Sequence, residues 1–416
     1  MKMKGAEILI KALRDEGVSL IFGYPGGAIL HVYDELFKNP DIHHVLVRHE
    51  QAAVHMADGY ARVTGRPGVA LVTSGPGATN TVTGIATAFM DSIPMVVISG
   101  QVPLPMIGND AFQEADIVGI TRPCTKHNYL VKDVRDMQRI LKEAFYLARS
   151  GRPGPVLVDI PKDVQLHECE VQPHEEIEVR TRRQNFRPHH GQIKKAWELM
   201  KQGSRPLFYV GGGAVLSKAS EELKQLTQMT HIPVAMTLMG LGAYPGEDEK
   251  SLGMLGMHGS YYANMAITDC DILISVGARF DDRVTGKLSE FSKHSRKIHI
   301  DIDPGNVGKS VPVEVPVVGD VKEVLVELIK MAQADASFLK EYHARLRPWW
   351  KQINGWKEKA PLAYQQGPKE ITAQYVIDTL YRMTGGDAIV TTDVGQHQMW
   401  AAQFYKFKEP NSWCTS

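Results

Sequence analysis

Short and almost entirely apolar runs recur along this chain, and they restrict the folds it can adopt. IPMVVISG at 93–100, PVLVDIP at 155–161 and CDILISVG at 270–277 are too short for buried helices and lack the polar alternation of half-exposed strands. Such runs are typical of parallel strands that helices cover on both faces. We therefore predict an α/β protein built from successive doubly wound parallel sheets.

The 416 residues are enough for two or three domains. We predict an α/β domain at 1–165, a charged linker at 166–190, a second α/β domain at 191–347, a Trp-, Lys- and Pro-rich linker at 348–370, and the start of a third domain at 371–416. The last segment repeats the helix, strand and glycine turn of the first domain. Because it is too short to bury a sheet face, we expect it to be an incomplete domain.

Charge and cysteine usage exclude several functions. Lys+Arg and Asp+Glu both number 47, so there is no excess charge to attract nucleic acid or an anionic membrane. The four cysteines are far apart and form no CxxC pair, which indicates neither a zinc site nor a disulfide framework and favours the cytoplasm. The N-terminus predicts an amphipathic helix rather than a signal peptide, and the sequence has no 18-residue apolar run that would span a membrane.

Residues 45–63, VLVRHEQAAVHMADGYARV, place a carboxylate between a strand and a helix. Val45 to Val47 predict a buried strand, and the apolar residues from Ala52 to Ala61 recur at helical spacing. Glu50 therefore begins a helix beside an apolar surface, where burial disfavours its charged form unless a partner offers a hydrogen bond or shares a proton. The alternative is an exposed acid that complements the helix dipole.

Glycine-rich turns follow several predicted strands, at 24–28, 75–77 and 211–213. Free N–H groups in such turns suit a polar ligand at the carboxyl ends of parallel strands, although packing alone also explains a glycine turn. No GxGxxG fingerprint follows the first strand of the second domain. Arg279 and Arg283 come just after the strand at 270–277, where guanidinium groups suit phosphate or carboxylate, and the alternative is salt bridging to neighbouring aspartates.

A series of longer motifs runs in order along the chain: GYPGGAIL, RHEQAAVHMADGYAR, TSGPGATN, DSIP, GQVP, DAFQE, GRPGPVLVDIPKDV, MHG, GARFDDRVTG and DVGQHQMW. From about residue 5 to 416 the chain resembles the catalytic large subunits of acetolactate synthase (acetohydroxyacid synthase), in the thiamine diphosphate-dependent enzyme superfamily. His31 is a local departure, since many relatives carry proline there. Pyruvate oxidase, glyoxylate carboligase and the FAD-free catabolic acetolactate synthase share the Glu50-type helix, but GARFDDRVTG and GQVP favour the FAD-containing biosynthetic enzyme.

The resemblance implies a carbon–carbon ligase. Such an enzyme decarboxylates pyruvate on thiamine diphosphate and joins the two-carbon unit to pyruvate or 2-oxobutyrate, giving 2-acetolactate or 2-aceto-2-hydroxybutyrate in valine, leucine and isoleucine biosynthesis. It implies that Glu50 hydrogen-bonds N1′ of the aminopyrimidine ring, and that the other catalytic positions are Gly27, Gln113 and Lys162. The implied thiamine diphosphate positions are Tyr24, Pro25, Gly27, Glu50, Thr73, Pro76, Gly77, Asn80, Gly395, Gln396 and His397.

The middle domain resembles the FAD-binding domain of these enzymes, where the flavin has a structural role. Arg283 is also implied to bind the carboxylate of the second substrate. The implied FAD positions are Arg152, Gly211, Gly212, Gly213, Thr237, Leu238, Met239, Met257, His258, Gly277, Arg279, Asp281, Arg283, Asp301, Ile302 and Asp320.

The resemblance also implies a homodimer with shared active sites, a regulatory small subunit, and Mg²⁺ held by a Gly-Asp-Gly motif and a downstream asparagine. No Gly-Asp-Gly occurs in this sequence, so we assign no metal ligand in this chain and expect the ligands beyond Ser416. A chain truncated there is expected neither to bind thiamine diphosphate tightly nor to turn over pyruvate. The alternative function is an inactive FAD-binding fragment.

Overall fold

The computed structural model describes residues 2–178 and 187–416, which form two compact units, Met1–Gln184 and Asn185–Ser416. Each unit is built around a parallel sheet covered by helices, so the predicted α/β class is confirmed. Every helix in the described part of the chain is too short or too polar to cross a lipid bilayer.

In the N-terminal unit, strands and helices alternate. The strands are β1 (Lys2–Lys4), β2 (Leu20–Gly23), β3 (His43–Leu46), β4 (Gly68–Val72), β5 (Met95–Gln101), β6 (His127–Leu130), β7 (Pro155–Pro161) and β8 (Glu168–Glu170). The helices are α1 (Gly5–Asp15), α2 (Leu30–Phe37), α3 (Glu50–Thr64), α4 (Pro76–Thr79), α5 (Val82–Asp91), α6 (Ile117–Thr121), α7 (Met137–Arg149) and α8 (Lys162–Leu166).

The main sheet of this unit has the order β3-β2-β4-β5-β7-β6 among the described residues, with parallel neighbours. Every residue of β4, β5 and β7 is buried, which explains their continuous apolar sequences. The order brings the carboxyl end of β2 beside that of β4, and the end of β5 beside that of β7.

The strand before Glu50 lies at the edge of this sheet, so the prediction of a buried strand there was wrong. β3 pairs with β2, and its residues are half-buried or exposed. Leu46 is 63% exposed, whereas Val47, just beyond the strand, is buried. An apolar run does not reveal whether its strand occupies the centre or the edge of a sheet, because that depends on strand order.

Part of the predicted 166–190 linker is ordered structure. Residues 168–170 form β8, which pairs antiparallel with β1, so that Lys4 lies opposite Glu168. A three-residue strand is too short to be recognised from periodicity, and it forms because the chain's own N-terminus supplies a partner. Residues 179–186 of the predicted linker lie outside the described residues.

In the second unit, a further parallel sheet has the order β11-β10-β9-β12-β13-β14 among the described residues, and a short parallel pair, β15-β16, lies nearer the C-terminus. The strands are β9 (Pro206–Val210), β10 (Val234–Met236), β11 (Ser251–Met254), β12 (Ile272–Val276), β13 (Arg296–Asp301), β14 (Val315–Val318), β15 (Val390–Thr391) and β16 (Trp413–Cys414). The helices are α9 (His190–Met200), α10 (Gly212–Leu216), α11 (Ser220–Thr230), α12 (Tyr261–Asp269), α13 (Asp282–Thr285), α14 (Val321–Ala334), α15 (Ala336–Lys359), α16 (Ala373–Thr384) and α17 (Gln396–Phe404).

Helix α15 continues through the predicted boundary at 347/348. Trp349 and Ile353, one turn apart, are buried, and the Trp349 Nε1 donates a hydrogen bond to the Pro206 carbonyl at 3.0 Å. Residues 348–359 are therefore helical and packed rather than a linker. Their polar composition and Pro348, which lies inside the helix, concealed the buried stripe from a reading of the sequence.

A buried charge network ties α3 to the end of α5. Arg62 donates to Asp58, one turn earlier in α3, at 3.1 Å and to Asp91 at 2.8 Å. Burial raises the pKa of the Asp58 carboxyl, while the adjacent Arg62 acts in the opposite direction. Because Glu50 begins α3, this network helps to fix the helix that carries it.

Replacing Arg62 by methionine is expected to lower the free energy of unfolding by about 3–5 kcal/mol, because Asp58 would keep its buried carboxylate and lose the cation beside it. Chemical denaturation measures the change. Arg66 is exposed just beyond the same helix, so Arg66→Met is the control, with an expected change within about 0.5 kcal/mol. Equal losses in the two variants would contradict a special role for the buried network.

Candidate active site

Glu50 is the first residue of α3, and its carboxylate is held by a specific partner. His49 caps the helix by accepting a hydrogen bond from the Gln51 N–H at 3.2 Å. The half-buried Glu50 accepts from the Asn80 side-chain amide at 3.0 Å through Oε2. Its other oxygen faces Gly77, where an added Cβ would lie 3.3 Å away. Glu50 is therefore oriented by one hydrogen bond and has a glycine in front of its second oxygen.

Thr73 joins the two glycine turns of this unit. It follows β4, is buried, and its Oγ1 accepts a hydrogen bond from the Ala28 N–H at 3.3 Å. A Cβ added to Gly26 or Gly77 would come within 2.5–2.7 Å of the Thr73 side chain. By contrast, a Cβ at Gly27 would meet nothing within 4 Å. Gly27 thus borders open space beside the turns, as a residue next to a bound group would.

Gln113 reaches the same sheet edge through the Gly75 turn. Gly75 has φ +57°, and a Cβ on it would lie 2.6 Å from the Gln113 carbonyl oxygen. Gln113 also has positive φ, 58°, and its side chain is exposed. Lys162 begins α8 directly after β7 and is half-buried. The sheet therefore collects the predicted catalytic residues of the first unit at the carboxyl ends of its strands.

The other predicted thiamine diphosphate residues divide between the units. Tyr24 and Pro25 are exposed in the first turn, and Pro76 is the first residue of α4. Gly395 to His397 lie in the second unit, where Gly395 precedes α17 with φ 155°. These last residues stay a prediction, because they belong to a different compact unit from Glu50.

A half-buried pair that the sequence did not indicate, Tyr33 and His44, lies against the Gly23 end of β2. The Tyr33 hydroxyl donates to the Leu71 carbonyl at 3.1 Å and lies 3.3 Å from the His44 Nε2. Burial raises the pKa of the Tyr33 hydroxyl, and the charge of Glu50 adds to the shift. Burial also lowers the pKa of His44. Both side chains are therefore favoured in their neutral forms close to Glu50.

Asp159, on β7, is a second group that sequence analysis missed. It accepts hydrogen bonds from the Ser99 hydroxyl at 2.6 Å and the Gln101 amide at 2.9 Å, and burial raises its pKa to about 7. Asp159 is the single charged residue of the apolar run at 155–161. The sequence did indicate that Asp159 has hydrogen-bond partners, because a carboxylate inside a continuous apolar strand is buried and must be paired.

In the second unit, the glycines at the strand ends pack backbone against backbone. The Gly211 N–H donates to Val276 and the Gly213 N–H to Gly277, both at 3.0 Å. A Cβ on Gly211 would lie 2.4 Å from the Gly277 carbonyl oxygen, and Gly277 itself has φ +60°. At least part of the requirement for glycine here is therefore close packing of the ends of β9 and β12.

Several predicted flavin residues surround these strand ends. Thr237 follows β10 and caps the turn through Leu238 and Met239 by accepting from the Gly240 N–H at 3.1 Å, and a Cβ on Gly212 would lie 3.2 Å from the Met239 Cβ. Asp301 ends β13 and is followed by the half-buried Ile302.

The remaining acidic position, Asp320, is engaged within the protein. Its carboxylate accepts from the Ser217 hydroxyl at 2.8 Å and from the Glu323 N–H at 3.2 Å, which caps α14. Arg152 belongs to the N-terminal unit, where its Nε donates to the Ser92 hydroxyl at 2.8 Å. Its assignment to FAD stays a prediction.

The loop after β12 presents the two predicted arginines differently. Arg279 is partly buried and lies 3.9 Å from Asp281, and the Arg283 side chain is 74% exposed. Met257 is exposed, and its N–H donates to the Arg283 carbonyl at 2.9 Å. The carbonyl of the adjacent His258 accepts from Gln403 at 2.7 Å. Arg283 is thus the more exposed of the two cations, and each arginine lies 3.9 Å from an aspartate carboxylate, Arg279 from Asp281 and Arg283 from Asp282.

Comparison with known proteins extends over the whole chain. Residues 3–120 match the thiamine pyrophosphate enzyme N-terminal TPP binding domain, and residues 193–328 match the thiamine pyrophosphate enzyme central domain. The chain is 49% identical to the acetolactate synthase isozyme 3 large subunit of Escherichia coli strain K12 over 417 residues, covering 100% of this chain and 72% of that protein.

Two further relatives agree. The acetolactate synthase large subunit of Haemophilus influenzae is 49% identical over 423 residues, with 100% of this chain and 72% of that protein covered. The chloroplastic acetolactate synthase of Arabidopsis thaliana is 49% identical over 417 residues, with 99% of this chain and 61% of that protein covered. The resemblance seen in the motifs is confirmed, and the chain belongs to the acetolactate synthase large-subunit family of thiamine diphosphate enzymes.

Proposed function

We propose that this protein performs the reaction of its family: it decarboxylates pyruvate and joins the two-carbon unit to pyruvate or 2-oxobutyrate, in the biosynthesis of branched-chain amino acids. The observation that carries the proposal is the Glu50 carboxylate, oriented by Asn80 beside two glycine turns and the open space at Gly27. Sequence identity over the full chain supports the same reaction.

The residues around Glu50 fit the pyrimidine end of thiamine diphosphate. That cofactor, when bound, supplies a nucleophilic carbon and takes up the electron pair that decarboxylation leaves. Glu50 would share a proton with the ring nitrogen, and the hydrogen bond from Asn80 would hold the carboxylate in position. Tyr33, whose pKa the charge of Glu50 helps to raise, and its neighbour His44 are both favoured as neutral groups and so add no competing charge. Gln113 and Lys162 are proposed to act on the substrate side.

FAD is proposed to bind at the strand ends of the second unit. The glycine loops there leave the backbone close to the surface of the sheet, and Arg279 and Arg283 supply cations for a diphosphate. Arg283, which is exposed, is proposed to bind the carboxylate of the second substrate as well. The reaction involves no net oxidation, so we assign the flavin a structural role.

No residue is assigned to Mg²⁺. Within 2–178 and 187–416, no group of three or more His, Cys, Asp or Glu side chains is arranged to hold a metal ion. We still propose Mg²⁺ as a cofactor, because the family uses it to hold the diphosphate, but we derive no step through it.

A homodimer is proposed because several large apolar side chains of the N-terminal unit are exposed in the single chain. Leu46 is 63% exposed, Met90 57% and Met56 45%, in β3, α5 and α3. Exposed apolar surface of this kind is common where proteins associate. As a member of a large-subunit family, the chain is also proposed to bind a regulatory small subunit. We place it in the cytoplasm, since its cysteine spacing indicates no disulfide framework.

Glu50→Gln is expected to lower kcat for acetolactate formation by about 10²–10⁴-fold, because glutamine can still accept the Asn80 hydrogen bond but cannot share a proton. The assay supplies pyruvate, thiamine diphosphate, Mg²⁺ and FAD. The control is Glu323→Gln, which neutralises an exposed acid in the first turn of α14. Full activity in Glu50→Gln would refute the assignment. Flavin retention without carboligation by the unmodified chain would favour the FAD-binding alternative.

Arg279→Met is expected to weaken FAD binding by about 10–150-fold, because a charge-assisted hydrogen bond to phosphate is worth about 1.5–3 kcal/mol. Flavin absorbance of the purified protein and titration of the stripped protein with FAD measure the change. Lys287→Met removes a highly exposed cation of the same region and should bind FAD normally. Equal FAD affinity in both variants would argue against Arg279 as a flavin contact.

A further inference from the structure

Asp159 occupies an unusual position for a carboxylate, near the middle of a buried sheet. It lies on β7 opposite Ser99 of β5 and is 1% exposed. Its Oδ1 accepts from the Ser99 hydroxyl at 2.6 Å, and its Oδ2 accepts from the Gln101 side-chain amide at 2.9 Å. Both oxygens therefore have donors, which offsets the cost of burying the group.

Gln101 connects Asp159 to a loop by hydrogen bonds. Its side-chain nitrogen also donates to the Ala115 carbonyl at 2.9 Å, and its oxygen accepts from the Val102 N–H at 2.9 Å. The side chain is 4% exposed. With both amide hydrogens and the carbonyl oxygen engaged, Gln101 has one orientation, and Asp159 is one of the three groups that fix it.

The loop that Gln101 holds is the one that carries Gln113. Glu114 accepts from the Gly108 and Ala111 N–H groups and so closes residues 108–114 into a compact loop. Gln113 has φ 58°, which is uncommon for a residue other than glycine. Its backbone lies against Gly75, close enough to exclude any Cβ there. Such a conformation persists only where neighbouring contacts fix it.

We propose that Asp159 and Gln101 are positioning residues that act through Gln113: Asp159 orients the Gln101 amide, and Gln101 anchors the 108–116 loop so that Gln113 stays over the Gly75 turn. The role of Gln113 in catalysis rests on the proposed function, whereas the anchoring of the loop does not.

Protonation bears on this arrangement. Burial, with a smaller contribution from the nearby Asp116, raises the pKa of Asp159 to about 7, and the hydrogen bonds from Ser99 and Gln101 oppose that rise. Asparagine at this position can turn its oxygen to Gln101 and its amide to the Ser99 hydroxyl. Asp159→Asn therefore keeps the anchor without the titration, whereas Asp159→Leu removes the acceptor.

The test is a double-mutant cycle between Gln101→Leu and Gln113→Ala. Gln101→Leu is expected to lower kcat/KM for pyruvate by about 10–100-fold, since small misplacements of a site residue have effects of this size. In the Gln113→Ala background the same change should cost less than about twofold, because neither residue then has the other to act through. The same loss in both backgrounds, or full activity in Gln113→Ala, would overturn the proposal.

Gln138→Leu is the matched control. Gln138 also bonds a backbone segment at two points, at Gln172, but that segment carries no candidate site residue. The Gln138→Leu variant should leave kcat/KM unchanged.

The Asp159→Asn variant should retain activity, but the pH dependence of that activity should change between about pH 6 and 8. Loss of activity at every pH would count against an anchoring role. If Gln101→Leu does not fold, Gln101→Asn is used instead, since it is too short to bond both Asp159 and Ala115.

Hydrogen–deuterium exchange of the protein tests the anchoring of the loop independently of the proposed function. The amides of 108–116 should exchange faster in Gln101→Leu than in the unmodified protein or Gln138→Leu. If this occurs and the unmodified protein forms no acetolactate, the anchor stands and the proposed function fails. If exchange in this loop is unchanged, the anchor fails whatever the activity.

Discussion

Thr73 is the residue on which the arrangement around Glu50 depends. It lies where β4 ends beside β2, and it touches both glycine turns while accepting a hydrogen bond from Ala28. The turns meet only because these strands are parallel neighbours, so that both chains leave the sheet at the same edge. A Cβ at Gly26 or Gly77 would displace the Thr73 side chain. The second turn would then shift, and its contact with Glu50 would be lost.

Glycines that follow apolar strands have different surroundings at different positions. At Gly27 an added side chain would enter open space, so packing does not require glycine there and room remains for the proposed cofactor. At Gly211 and Gly213 an added Cβ would lie within 2.4–2.8 Å of the backbone around Gly277, so close packing is sufficient to require glycine. The same sequence pattern, glycine after an apolar strand, therefore occurs both in open and in tightly packed surroundings, which the sequence alone cannot distinguish.

Three acidic side chains of the first unit show how environment assigns roles to carboxylates. Asp58 is buried beside Arg62, a pairing that offsets its desolvation and fixes α3. Asp159 is buried with only neutral donors, Ser99 and Gln101, so burial dominates and its pKa rises to about 7. Glu50 is half-buried, with one oxygen held by Asn80 and the other facing a glycine. Of the three, Glu50 is the one with room for an outside partner.

The sequence by itself determined the fold class, the central buried strands β5, β7 and β12, and the family, because apolar runs and long motifs are local properties of the chain. It also identified Glu50 as the first residue of a helix. Only the tertiary structure decided that β3 is an edge strand, that residues 348–359 are packed helix, and that Asp159 reaches the Gln113 loop through Gln101. Strand order and contacts between residues distant in the sequence determine these features, and the local pattern of residues predicts neither.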